Sequence, residues 1–399
     1  MSSHESIDAT LAAVDAPVPT GQGRSGHRPR LGRPGWAYAL RRALKEFSVD
    51  NGPYLSAMLT HFTVLSLSPI LLAIFSVASL ILTRNAETVA SLVADLTTRY
   101  VPADYRGLVV GLVSMITGSA TGGAIALLIA LATAVWSASG YVTAFSHCLN
   151  TLYGRAEGRG MLRLTVTMLL VSLVTLSGVV LILLSLALNA PLVSGLLGPV
   201  AEPLGLTAQL DFLLTTFLPI WAWVKWLVVL VLVIALVAVL FYFTPNVQKP
   251  RFTWLSPGSV VAIIGIAAAG GLLWTYLTRF AGYSLYGAVS AGIALLFALW
   301  LINTMLLLGA EVDVELERAR ELQAGIEAES MIQLPPRSTA KAEKMKQSRD
   351  RLESRGRELR LSHPQGDPTD DSDASPPTGT EGSDQGGTRR ESSEDSAEA

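Results

Sequence analysis

The chain has 399 residues, 50% of them hydrophobic and 16% charged, with a net charge of −2. An average soluble domain carries roughly 25% charged residues, so the composition speaks against a water-soluble enzyme. The single cysteine, Cys148, excludes an intrachain disulfide and a thiolate metal cluster.

Three regimes follow one another: 1–35 is polar and basic, 54–312 is apolar, and 313–399 is strongly charged. Residues 1–35, rich in Gly, Pro, Ser and Arg, read as a disordered cytoplasmic tail. They are no secretory signal, because the first apolar segment comes too late and is too long. Trp36–Phe47 reads as an amphipathic surface helix, with Trp36, Ala39, Leu40, Ala43, Leu44 and Phe47 on one face and Arg41, Arg42 and Lys45 on its flank, suited to an anionic leaflet. The expected membrane domain runs over 36–317, with about six spans drawn at 62–82, 123–146, 164–188, 225–243, 259–281 and 289–312. Pro69 predicts a kink in the first span. Apolar stripes at 86–98, at 105–116 and from Leu206 to Phe217 predict helices that lie in the outer interface or cap the bundle. A charged cytoplasmic segment at 318–361 and a disordered acidic tail at 362–399 complete the chain. The fold class is therefore all-α, a polytopic membrane protein with amphipathic interfacial helices.

Arginine and lysine set the orientation. Arg24 to Lys45, then Arg155, Arg159 and Arg163, then Lys249 and Arg251, and finally the C-terminal tail all fall on one side of an even-numbered bundle. Both termini are thus expected in the cytoplasm, and the plasma membrane is the expected location. Trp221, Trp223 and Trp226 with Lys225 mark the outer start of the fourth span.

The run from Tyr54 to Leu82, with Ser56, Ala57, Phe62, Ser66 and Pro69, resembles the first-span signature of the YihY/BrkB family of inner-membrane proteins. So do Cys148–Gly154 (CLNTLYG), Trp254–Gly258 (WLSPG), and the stretch Tyr276–Glu317 with Tyr283, Tyr286–Gly287, Trp300 and Gly309–Ala310–Glu311. The resemblance covers residues 40–317 in order. His61 stands where that pattern has an aromatic residue, and Asn303 adds an amide inside the sixth span. The resemblance implies a six-helix plasma-membrane protein with a role in envelope or lipid transport; the family's old ribonuclease label is regarded as mistaken.

Buried polar groups are the candidates for function, since they are costly inside a bilayer. Ser66, Asn150, Asn303 and Glu311, with Tyr283 and Tyr286 at the turn between the last two spans, are the candidate substrate contacts. The plainer reading, which carries more weight, takes Glu311 as an interfacial acid held by a neighbouring helix or by Arg318, the two tyrosines as a structural turn, and the amides and hydroxyls as helix-to-helix glue. His61 and His147 fall near the same side of the bundle and form a candidate pH-sensing pair, against the plainer reading of hydrogen-bonded packing. Gly258, Ala262, Gly265 and Ala269, and the GxxxG of Gly118 and Gly122, admit close approach of another helix or of a second copy of the chain, leaving a homo-oligomer open.

No HExxH, CxxC, P-loop, GxSxG or tight acidic cluster is present. No metal, no cofactor and no enzymatic activity are expected, and the basic run of the tail points to membrane lipids rather than nucleic acid. The leading expectation is a transporter or lipid-handling protein of the cell envelope. The rival is a non-transporting scaffold for envelope assembly; a membrane enzyme ranks third.

Overall fold

Runs of Leu, Val, Ala and Ile with few interior breakers propagate as long helices. The computed structural model, which describes residues 3–15, 31–66, 120–191, 193–195, 207–249, 251–279 and 287–362, is built of them. They are α1 (Ser3–Ala12), α2 (Arg33–Val49), α3 (52–66), α4 (Ala120–Leu152), α5 (Met161–Ala187), α6 (Thr207–Phe243), α7 (Pro257–Arg279), α8 (Gly287–Gln323) and α9 (Ala340–Ser362). Among the described residues there is no strand, only an isolated bridge between Val247 and Pro336. The chain divides into two units, Met1–Ser348 and Arg349–Ala399. The described part of the second is exposed helix as far as Ser362.

Four helices among the described residues are long and apolar enough to cross a membrane: Met161–Ala187, Thr207–Phe243, Pro257–Arg279 and Gly292–Gln323. They coincide with the expected third to sixth spans. The expected second span falls on α4, whose 33 residues reach about 50 Å. Of the first, only 62–66 is described, as the end of α3; the rest, with Pro69 and the stripes at 86–98 and 105–116, lies outside the described residues.

The stripe ending at Phe217 is not a separate capping helix. Thr207–Phe212 runs through a π-helical turn at Leu213–Phe217 straight into Leu218–Phe243. Nothing between 207 and 218 breaks the helix, and the wide turn, in which Leu218 N–H reaches the Leu213 carbonyl, absorbs Pro219 just beyond it.

Helix α2 forms as expected but splits its apolar face. Ala39, Ala43 and Phe47 are buried, the two alanines packing with Val312, Leu316 and Ala319 of α8, while Trp36, Leu40 and Leu44 stay exposed. Small residues let two helices meet closely; the larger ones a turn away are left outside. Asn51, with φ of 59°, turns the chain from α2 into α3, and Gly52 tucks under the Phe47 ring where a Cβ would clash.

Two segments that flank the expected membrane domain pack onto it. Ser3–Ala12 is helix, and Ile7, Ala9 and Thr10 are buried, although 1–35 reads as a tail. In the charged segment after α8, Ile332 and Leu334 join the main core with Phe145, Leu149 and Phe241. Sparse hydrophobes in polar surroundings are enough when neighbouring loops supply hydrogen-bond partners.

Helix α7 packs along α8, and α5 lies against both α4 and α6. Gly258 and Gly309 face each other so closely that a Cβ on either would overlap the other's carbonyl oxygen. Ser256 caps α7 by accepting from Ser259 N–H at 3.1 Å, and donates to Asp313 of α8, which also accepts from Gly258 N–H at 2.8 Å. The WLSPG and GAE stretches thus form one joint between two helices.

Candidate functional site

A cavity of about 330 Å³ lies between the helices. α3 contributes Thr63 and Ser66, α4 Tyr141 and Val142, α5 Thr175 and Val179, α6 Val233, Leu236 and Leu240, α7 Ile266, and α8 Leu299, Ile302, Asn303 and Leu306. Gly178 lets α5 approach Leu236 of α6 on one wall. The lining is hydrocarbon apart from one polar strip. There Tyr141 Oη donates to Asn303 Oδ1 at 3.0 Å, while Asn303 Nδ2 donates to Thr60 Oγ1 at 3.2 Å and to its own helix at Leu299 O at 3.0 Å. Ser66 donates to Phe62 O at 2.9 Å and bridges to Ser137 of α4 through bonds of 3.3 and 3.4 Å. Each polar atom is met inside the bundle, so the strip adds no unpaired group to an apolar space. A space walled so largely by hydrocarbon is better matched to an apolar guest than to water.

The loop end of the bundle is built differently. Arg159, nearly fully buried, forks onto Glu157 through bonds of 2.8 Å and also donates to Ser146 Oγ at 3.0 Å and Thr244 O at 2.6 Å. Glu157 accepts from Asn150 Nδ2 at 2.9 Å as well. Burial alone would raise its pKa, yet the Arg159 bonds and charge outweigh that and hold the carboxyl below its ordinary value. Asn150 Oδ1 accepts from Asn246 N–H at 2.7 Å, and Asn246 donates on to Ala156 O and Ser338 O, both at 3.0 Å. Arg155 gathers the Ala9, Ile332 and Leu334 carbonyls, tying α1 and the post-α8 segment to the α4–α5 loop; burial lowers its pKa to about 10. Arg337 donates to Val247 O at 2.8 Å and Tyr242 O at 2.6 Å. Burial lowers Lys249 to about 8, its ammonium 5.3 Å from the Tyr153 ring.

The candidate residues separate accordingly. Ser66 and Asn303 share the cavity. Asn150 belongs to the loop-end network. His147 is exposed on α4 and with Asn150 lines a second depression of about 510 Å³, and His61 is exposed on α3; among the described residues no hydrogen bond or ring contact joins the two histidines. Tyr283 and Tyr286 lie outside the described residues. Glu311 is buried away from the cavity with one carboxylate oxygen lacking a hydrogen-bond partner, and Arg318 pairs instead with Glu315 at 3.0 Å. Sequence reasoning missed Tyr141, Arg159, Asn246 and Asp313. A phenol inside a span was a usable signal for Tyr141; the arginines were read only as markers of sidedness. Among the described residues no three His, Cys, Asp or Glu side chains converge to hold a metal ion.

A family model described as virulence factor BrkB matches residues 43–332, which include the cavity lining, Arg155 and Arg159 of the α4–α5 loop and the α7–α8 joint. The chain belongs to the BrkB family. Among curated relatives it is similar to a putative ribonuclease-like protein YfkH of Bacillus subtilis (strain 168), 27% identical over 284 residues, covering 71% of this chain and 96% of the relative. No solved structure matches. This BrkB-family chain is thus a membrane protein with apolar helices, and the family is not a known enzyme family.

Proposed function

We propose that this BrkB-family protein is a transporter or lipid-handling protein of the cell envelope, with six crossings of the plasma membrane and both termini cytoplasmic. The observation that supports it is the cavity: hydrocarbon walls contributed by six helices, with the Tyr141–Asn303–Thr60 strip and Ser66 set into one side. Such a space suits an amphipathic molecule whose chain replaces nothing but void and whose polar part exchanges bonds with Asn303 and Ser66. Exchange is cheap, because hydrogen bonds between membrane helices contribute only about 0.6 kcal/mol each. The reading is of a non-enzyme that acts on membrane lipids. Liposomes carrying the protein and fluorescent lipids in one leaflet test it: lipid equilibrates faster than in empty vesicles, and Asn303→Leu slows it. Equal rates with and without protein would end the reading.

A further inference from the structure

The second depression lies on the other side of the α3–α4 seam from the cavity. Its floor is one face of α4, where Trp136, Ser139, Gly140, Thr143, His147 and Asn150 recur every three or four residues. From Trp136 to Asn150 that face runs about 21 Å, close to half of a bilayer of roughly 40–45 Å. Met58 and Phe62 of α3 and Leu164 of α5 make apolar walls, and Trp136 is 71% exposed. Polar groups collect at the loop end, where His147 and Lys341 meet Asn150 and Glu157.

The charge at that end is settled by the contacts already described. Both oxygens of Glu157 are taken by Arg159, one of them also by Asn150, so its negative charge is matched inside the protein. The Lys341 ammonium has no carboxylate partner among the described residues; only its backbone N–H is engaged, donating to Gly158 O at 2.9 Å. His147 is exposed and offers a ring N–H beside it. An open groove, greasy along most of its length and cationic at one end, is complementary to one amphiphile class.

We infer that this groove binds an anionic glycerophospholipid, its phosphate against Lys341 and His147 and an acyl chain along Thr143, Gly140 and Trp136 under Phe62. The site rests on the lipid-handling reading for its purpose, though its geometry is separate from the cavity. Phe62, which lines the groove, and Ser66, which lines the cavity, are one turn apart on α3, and Ser66 is tied there to Ser137 of α4 by the long hydroxyl bonds of the α3–α4 seam. A lipid held in the groove is therefore placed beside the space we assign to its passage.

Full-length protein in phosphatidylcholine vesicles doped with a photoactivatable phosphatidylglycerol tests the site by mapping labelled peptides. Label is expected on 136–147 and 58–62, and Lys341→Glu with His147→Gln is expected to reduce it about tenfold, the equivalent of 1.4 kcal/mol of binding. Lys341→Arg keeps the charge and keeps the label. Equal labelling by photoactivatable phosphatidylcholine overturns the inference, as does labelling confined to other segments. Loss of label on adding millimolar inorganic phosphate, with no dependence on the acyl chain, would make the groove a free-anion site and also overturns it. Lipid equilibration measured on the same vesicles separates the two readings: transport without groove label sinks the site alone, and groove label without transport sinks the transport function alone.

Discussion

The middle of the bundle and its loop end are made of the same helices but by opposite means. In the middle, contacts between helices are mostly hydrocarbon, and the cavity's polar strip uses neutral groups at 3.0 Å or longer between helices. At the loop end, three arginines and two asparagines bind backbone carbonyls and a carboxylate, often at 2.6–2.9 Å. Charge-assisted bonds are roughly twice as strong as neutral ones. The difference assigns stability to one end and adaptability to the other, which is what a protein needs if it is to open a path without coming apart.

The sharpest way to break this comparison is Arg159→Met. It leaves the half-buried Glu157 without its cation and takes Arg159 from the Phe243 and Thr244 carbonyls, the second of which keeps Ser146 Oγ, at an expected cost of about 3 kcal/mol. Unfolding in mixed detergent micelles measures it, and a loss below about 1 kcal/mol, the size of an exposed pair, would remove the distinction. Next comes Gly258→Ala, which forces α7 off the Gly309 carbonyl at an expected cost of about 1–3 kcal/mol by overpacking. The middle should behave otherwise. Tyr141→Phe and Asn303→Leu are expected to lower stability by only about 0.6 kcal/mol per bond lost while slowing lipid equilibration; a large stability loss would show the strip to be structural.

A separate, pH-dependent effect concerns two acids with opposite shifts. Burial raises Asp50 from an ordinary 3.8 to about 6, with Glu46 and Glu315 adding to it against Arg318. Its contribution to stability is full below pH 3.8 and disappears as pH rises through about 6. Glu157, held low by Arg159, does the reverse: its contribution is present above the ordinary 4.5 and fades as pH falls through its lowered value. Asp50→Asn should therefore flatten a decline in melting temperature between pH 4 and pH 6, and an unchanged slope would refute that assignment.

Four of the expected spans were legible because long apolar runs have one way to satisfy their backbone in lipid. Asn303 stood out for the same reason, an amide in a greasy run. The cavity was not legible, since Val233, Leu236 and Ile302 read as packing whether they touch a neighbour or a void. Arg155 and Arg159 were found but misjudged: the partners that make Arg155 a buried clamp lie 146 to 179 residues away, beyond any local pattern. The docking of Ser3–Ala12 escaped for that reason too. Glu311 was legible as an oddity, but its separation from the cavity is a matter of which face of α8 it occupies.

At the crossing of Gly258 and Gly309 the two helices meet backbone to backbone, with Ala262 packed beside it and Ser256 and Asp313 pinning one side. Two rods touching without padding resist sliding past each other, so α7 and α8 are expected to move together. If lipid passes as we propose, the void is expected to widen by α3, α4 and α5 moving against that pair, and spin labels placed across the two groups should see distances change between them and stay fixed within the pair.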